Sequence, residues 1–439
     1  MGWVMFENNP DNASVIRMKG GIPLYGSVQI QGSKNIALPI IAASILVNGK
    51  CTLSGCPDIT DVDSMFRLIE SAGAIVCKNE NQIYVNAENI NEYCMPSRYA
   101  SVMRSSVILL GALLGRIGEA SIDYPGGCVI GKRPIDLHIF ALEKLGAEID
   151  IVGNKIRAKA KKLTANTIHF PFSSVGATQN TILAAVYANG ITKIENAARE
   201  PEVTALCDYL NKAGARVVLS DNFLNDGIIE IYGVEKNSLH DVEYSIPADR
   251  IVAGTYLFAV LATSGRVELQ NAPIDNMNSV LHTVIEMGAQ INKDINNSRI
   301  VIEVPDRNMI NNLDFVETGI YPGFPTDMQS QLMAVACTSK GRLCIRENIF
   351  SNRFKIVDEL KRMGAQISIK NDNEAVIDGV ASLEGRNVIA KELRGGAALV
   401  SAGLAAEGIT TVTDIEYIKR GYEDIVNDFA RLGAQISYD

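Results

Sequence analysis

The sequence predicts an α/β protein of two domains, each assembled from three copies of one repeated unit of about 70 residues. Three observations predict it. A phrase with a central Gly-Ala recurs six times at even spacing, as "ESAGAIV" (70–76), "EKLGAEI" (143–149), "NKAGARV" (211–217), "IEMGAQI" (285–291), "KRMGAQI" (361–367) and "ARLGAQI" (430–436). Each copy ends a helical pattern such as "PIDLHIFALEKLGA", puts Gly where a helix stops in the left-handed conformation, and continues as a strand such as "IVCKNENQIYV". The length of 439 residues exceeds what one hydrophobic core supports, whereas three units give a domain of roughly 200 residues. Gly-Ala stops many helices in α/β proteins, but isolated stops would not be spaced evenly along a whole chain.

The halves meet near "SIPADR" (245–250). A first strand pattern, "GIPLYGSVQIQG" (21–32), precedes the first unit, so the start of the chain is expected to complete the carboxy-terminal half. The predicted domains are residues 1–33 with 248–439, and residues 34–247. A ligand site is expected in the cleft between them.

Composition narrows the function. With 47% apolar and 21% charged residues, the chain reads as an ordinary globular protein and not a disordered one. Its longest apolar run, "IALPIIAASILV" (36–47), contains Pro39 and is too short to cross a bilayer. Phe6 denies the amino terminus a myristoylation pattern and no secretory pattern follows, so a cytoplasmic location is expected. The eight cysteines contain no C-x-x-C pair and read as reduced thiols, and four scattered histidines give a metal site little support. A net charge of −9 offers no overall attraction to nucleic acid or to an anionic membrane. Any anionic ligand must be held by a local cluster of cations.

Taken in chain order, such cations stand beside glycines or inside apolar runs. Lys34-Asn35, in "GSKNIALPIIAA", lies where a strand hands over to a helix, and an Asn cap beside an exposed Lys is an equally good reading. Arg104, in "SVMRSSVILLGALLG", is a lone charge near the start of an apolar helix and needs a partner, a ligand or the surface. Lys132-Arg133 follows "GGCVIG", where glycines let a loop fold closely around a ligand and the Arg fork can take two oxygens. Cys128 in that loop stands between permissive glycines and two cations, a setting that favours its thiolate and hence reactivity.

In "FSSVGATQNTILAAV" (172–186), Ser173, Ser174 and Gly176 open a helix whose free N–H groups suit an anion, although a plain capping sequence looks the same. In "YPGFPTDMQSQLMAVA" (321–336), Thr326 and Gln329 fit a capping box, leaving Asp327 in the first turn, where the helix dipole favours its carboxylate form. Arg420, in "YIKRGYEDI", precedes a Gly and the last helix and could equally be an ordinary loop charge. No G-x-S-x-G and no Walker A sequence competes as an active centre.

These motifs, with "ENAAREPE", "IPADRIVAGTY", "NRF" and "RGYE" in the same order, resemble the UDP-N-acetylglucosamine 1-carboxyvinyltransferase family of enolpyruvyl transferases, from about residue 18 to the end. The resemblance implies a two-domain inverse α/β barrel of six units, and transfer of the enolpyruvyl group of phosphoenolpyruvate to the 3-hydroxyl of UDP-N-acetylglucosamine, the first committed step of peptidoglycan precursor synthesis. It implies that Cys128 adds to phosphoenolpyruvate and moves protons, and that Asp327 faces the sugar hydroxyl. Lys34, Arg104, Arg133 and Arg420 would hold phosphate and carboxylate groups, with Arg394 in the same binding set. Asn35, the run Arg133, Pro134, Ile135, Asp136, Leu137 and His138, the run Ser174, Val175 and Gly176, Asp327 and Ile349 would line the UDP-sugar site. The chemistry needs a proton delivered to a methylene carbon, one taken from a hydroxyl, and several negative charges held in a dry site; no metal or organic cofactor is required. A monomer or weak homo-oligomer is expected.

Three positions depart from the family pattern: Phe172 where some members carry Lys, Glu392 where Asp is commoner, and Lys419 where Asp is usual. They leave room for a paralogue with another nucleotide acceptor; a non-catalytic regulatory paralogue should have lost Cys128, Asp327 or an anion-binding Arg, and none is lost. The related shikimate-3-phosphate enzyme lacks the "GGC" loop, and RNA 3′-terminal phosphate cyclase, built on related repeats, would call for a basic face that this acidic chain does not have.

Overall fold

Gly73, Gly146, Gly214, Gly288, Gly364 and Gly433 all have φ between +88° and +118°, so each Gly-Ala phrase does reverse the chain out of its helix in the left-handed region. The computed structural model describes residues 14–79, 82–101, 103–124 and 134–439. Cys128, Lys132 and Arg133 lie outside the described residues. The described residues fall into two compact units, one of residues 14–31 with 248–439, the other of residues 32–124 with 134–247.

Six sheets are described, three in each unit, and they follow one plan. A buried helix leads to a strand, an amphipathic helix ending in a Gly-Ala phrase follows, and a further pair of strands completes an antiparallel trio. Five of the six trios carry a fourth strand in parallel along one edge. In the sixth, built from Glu119–Asp123, Lys155–Lys159 and Glu148–Val152, that edge holds only the parallel bridge between Cys94 and Ser121.

The strand expected over "IVCKNENQIYV" is two strands. Ile75–Asn79 and Gln82–Asn86 pair antiparallel from Ile75↔Asn86 to Asn79↔Gln82, so the phrase folds back and satisfies its backbone groups on itself instead of running on as one strand. A strand that the sequence reading passed over, Val15–Lys19, lies between Ile409–Thr413 and Gln435–Tyr438 and supplies the middle of the last trio. The parallel edge strands are exchanged where the chain changes unit. Leu24–Gln29 comes just before the Lys34–Ser44 helix yet pairs with Gly265–Gln270, while Val242–Ser245 comes just before the Arg250–Thr263 helix yet pairs with Lys50–Ser54.

Each unit is centred on three helices apolar on nearly every side. Lys34–Ser44, Leu109–Ile117 and Val175–Ala185 fill one core; Arg250–Thr263, Gln329–Ala336 and Leu393–Ala405 fill the other. Small residues let these helices approach closely. A Cβ on Gly111 would lie 2.1 Å from the Asn180 carbonyl oxygen, so no other residue fits there. No described helix is long and apolar enough to cross a membrane.

Candidate active site

Lys34, Arg104, Ser174, Asp327 and Arg394 stand at or just before the starts of five of these six buried helices, where unpaired N–H groups and the helix dipole favour anions. In the unit of residues 32–247, Lys34 is the first residue of its helix, buried, with Nζ 2.6 Å from Oδ2 of the equally buried Asp61. Asn35 does not cap that helix. Its side-chain Nδ2 donates to Glu202 Oε1 at 3.4 Å, and Ser33 occupies the cap position instead. Arg104 opens the turn Arg104–Ile108 ahead of Leu109–Ile117, and its Nη2 donates to the Pro134 carbonyl at 3.1 Å, which brings together two predicted ligand residues from separate segments.

Ser174 caps the third helix, its hydroxyl accepting the Ala177 N–H at 3.4 Å, so the capping reading of that stretch is correct. Beside it, His138 is buried in the first turn of Asp136–Lys144, between buried Leu137 and Asn180, while Asp136 is exposed and Ile135 buried. Asn180 Oδ1 accepts the Gly111 N–H at 2.6 Å, which turns its Nδ2 toward the Val107 carbonyl at 3.1 Å and His138 Nδ1 at 3.0 Å. The amide therefore donates to Nδ1, and the neutral ring carries its proton on Nε2. That edge of the ring lies over Gly176, where a Cβ would come within 2.9 Å of His138 Cε1. Gly176→Ala is expected to destabilise the fold by about 1–3 kcal/mol by forcing the ring or the helix start aside. Thermal denaturation checks this, and a midpoint within ~1 °C of wild type would show that the ring yields freely.

In the unit of residues 248–439, Asp327 lies in the turn Thr326–Met328 ahead of Gln329–Ala336. The expected capping box does not form, because the Thr326 hydroxyl donates to Glu347 Oε2 at 3.0 Å and Pro325 stands at the cap. Two guanidiniums face the Asp327 carboxylate, and opposite charges at this range favour its ionised form. Arg353 Nη2 donates to Oδ1 at 2.7 Å and Arg394 Nη2 lies 3.5 Å from Oδ2. Arg353 is 2% exposed and also donates Nε and Nη2 to the Thr326 carbonyl at 3.2 and 3.1 Å.

Arg394 is buried in the first turn of Leu393–Ala405. Burial works to lower its pKa, but Asp327, Tyr422 and Asp249 outweigh it, so the guanidinium is held charged above its usual range. Its Nη1 is buried with no hydrogen-bond partner among the described residues, a donor set for an oxyanion. Glu392 is the cap of that helix, its carboxylate accepting from the N–H groups of Arg394 and Gly395, with Oε2 3.9 Å from Arg353 Nη1. The departure from Asp thus serves as an N-cap. Arg420 ends the short helix Glu416–Lys419, next to Gly421, which packs on Leu393, and Tyr422, whose hydroxyl is 2.8 Å from that of Thr255. Lys419 pairs with Glu416 at 2.9 Å, and Phe172 is exposed. Ile349, partly exposed, donates its N–H to Glu347 Oε1 at 2.8 Å.

The sequence reading gave no role to Asp61, Asn180 and Glu202 in the unit of residues 32–247, or to Glu347, Arg353 and Tyr422 in the unit of residues 248–439. Only "ENAAREPE", "NRF" and "RGYE" pointed at Glu202, Arg353 and Tyr422, and none gave them a role. Among the described residues no three His, Cys, Asp or Glu side chains gather as a metal site.

Comparison with known proteins bears on the family and the fold. The family described as EPSP synthase (3-phosphoshikimate 1-carboxyvinyltransferase) matches residues 18–429. The UDP-N-acetylglucosamine 1-carboxyvinyltransferase 2 of Caldanaerobacter subterraneus subsp. tengcongensis is 43% identical over 420 residues, covering 96% of this chain and 98% of that protein. The UDP-N-acetylglucosamine 1-carboxyvinyltransferase of Desulfosudis oleivorans is 42% identical over 421 residues, with the same coverage of 96% and 98%. Among solved structures, the enolpyruvyl transferase NikO from Streptomyces tendae superimposes with a TM-score of 0.85 at 23% identity, covering 97% of this chain and 98% of that one. EPSP synthase from Acinetobacter baumannii gives 0.74 at 17% identity, covering 97% and 99%. The two structures share the fold, and the sequence relatives settle the family: the chain belongs to the EPSP synthase family, among the UDP-N-acetylglucosamine 1-carboxyvinyltransferases.

Proposed function

We propose that this transferase moves the enolpyruvyl group of phosphoenolpyruvate to the 3-hydroxyl of UDP-N-acetylglucosamine and releases phosphate, opening peptidoglycan precursor synthesis. The observation that carries the reading is one carboxylate, Asp327, held between two buried arginines, in a chain 43% identical to a protein of that name. In this reading the sugar oxygen adds to C2 of phosphoenolpyruvate while a proton reaches C3, giving a tetrahedral adduct. Loss of phosphate and of a C3 proton then restores the double bond. Asp327 faces the sugar hydroxyl and Cys128 supplies the mobile proton.

Lys34, Arg104, Arg133, Arg394 and Arg420 hold the phosphate and carboxylate charges. Asn35, Pro134 to His138, Ser174 to Gly176 and Ile349 line the UDP-sugar, with His138 presenting a fixed Nε2–H. The reaction runs in the cytoplasm on soluble substrates, with the protein a monomer or weak homo-oligomer. The anionic net charge of −9 supports small anions held by local cations over nucleic acid as a partner.

Phosphate release from phosphoenolpyruvate tests the proposal, with UDP-N-acetylglucosamine, other nucleotide sugars or no acceptor. Acceptor-dependent release is expected with UDP-N-acetylglucosamine. Release no faster than without acceptor would refute the reading, and faster release with another nucleotide sugar would reassign the acceptor.

A further inference from the structure

The turn that carries Asp327 is tied down twice by one neighbouring segment, and one of the two ties has no role in the proposed chemistry. Glu347 follows the strand Arg342–Arg346 and is 2% exposed. Its Oε2 accepts the Thr326 hydroxyl at 3.0 Å, and its Oε1 accepts the N–H groups of Ile349 at 2.8 Å and Phe350 at 3.1 Å. The segment folded in this way ends at Arg353, which grips the Thr326 carbonyl and the Asp327 carboxylate. Residues 347–353 therefore close on the Thr326–Met328 turn from both ends. Glu347 holds the Thr326 side chain and Arg353 holds its main chain.

A buried carboxylate is costly unless its oxygens are fully used, and a simple strand end needs none. Glu347 spends both oxygens on joining two things that are remote in sequence, the residue before Asp327 and the backbone of Ile349. We propose that Glu347 is a positioning residue for the acceptor: it locks Asp327 and Ile349 at one spacing, so that the carboxylate meets the sugar hydroxyl while Ile349 bounds the sugar. This rests on the reading of those two residues as facing the UDP-sugar. It also makes the effect specific to the acceptor, which a purely structural loop tie would not.

The test compares steady-state constants of Glu347→Ala and Glu347→Gln with wild type, varying each substrate in turn. Glu347→Ala is expected to raise KM for UDP-N-acetylglucosamine roughly tenfold and lower kcat roughly tenfold, with KM for phosphoenolpyruvate within about twofold. Glu347→Gln should stay within about threefold of wild type, because its amide oxygen can still accept from Ile349 and Phe350 while its nitrogen donates to a reversed Thr326 hydroxyl. If Glu347→Ala does not fold, Thr326→Val removes one of the contacts alone and should raise the UDP-sugar KM by roughly threefold. Unchanged constants, a kcat lowered only in proportion to the unfolded fraction seen by circular dichroism, or a Gln variant as impaired as Ala would overturn the inference. A wild type that neither binds UDP-N-acetylglucosamine by calorimetry nor turns it over would instead remove the functional reading, and this inference with it.

Discussion

Replacing Asp327 with Asn is expected to lower kcat by roughly 10²- to 10⁴-fold, the range lost when a positioned acid–base group is removed. Asn preserves the volume but not the chemistry. Asp327 accepts from Arg353 Nη2 at 2.7 Å and faces Arg394 Nη2 at 3.5 Å, so whichever way an amide turns, its NH₂ confronts a guanidinium donor. The variant therefore loses the acceptor for the sugar proton and also loosens two buried arginines, one of which has a spare N–H for an anion. KM for phosphoenolpyruvate should rise as well, because Arg394 is displaced along with the carboxylate it faces. Stopped-flow and steady-state phosphate release, read beside a circular dichroism spectrum, separate this from unfolding. A folded Asp327→Asn enzyme with kcat within about threefold of wild type would remove Asp327 from the chemistry.

Cys128→Ser is expected to lose most activity, roughly 10²-fold or more, whereas Cys128→Asp should remain active, because a carboxylic acid can deliver a proton that a serine hydroxyl is too weak an acid to give. The same residue should be alkylated selectively by fosfomycin, an anionic epoxide shaped like phosphoenolpyruvate, and the Asp variant should resist it. Cys128 lies outside the described residues, but the other thiols define the competition. Cys51, Cys56, Cys207 and Cys337 are pushed up to about 12, mainly by burial, and stay protonated at neutral pH. Burial also raises Cys344.

Cys77 and Cys94 are exposed, and Lys155 Nζ lies 3.9 Å from the Cys94 sulfur. A neutral alkylating agent should therefore label Cys77 and Cys94 as well. Fosfomycin should not, since one half-buried lysine cannot assemble the anion site that the reagent needs. Peptide mass mapping after short exposure decides it. Label on Cys94 equal to that on Cys128, or none on Cys128, would reassign the reactive thiol.

Local chemistry was legible in the sequence wherever one segment alone decides it. The six Gly-Ala phrases stop helices because a residue at positive φ depends only on its own backbone, and the buried helices announced themselves as apolar runs with one charged or hydroxyl residue at the start. Lys34, Arg104, Ser174, Asp327 and Arg394 stand at those starts because a lone polar group in an apolar helix is tolerated only where N–H groups or a partner await it. Partners were not legible. Asp327 meets residues 26 and 67 positions away, and Asn35 meets one 167 positions away. Nothing in the pattern prefers Asp61 to its neighbours Asp58 and Asp63 as the mate of Lys34; only the packing of two helices selects it. The edge strands show the same limit. Leu24–Gln29 and Val242–Ser245 each come just before a helix of the unit to which they do not belong, and neither partner strand, Gly265–Gln270 or Lys50–Ser54, is legible from the local pattern. Periodicity records which side of an element is buried, but an ion pair or a ladder depends on what arrives opposite it, and that is set by the chain's path in three dimensions.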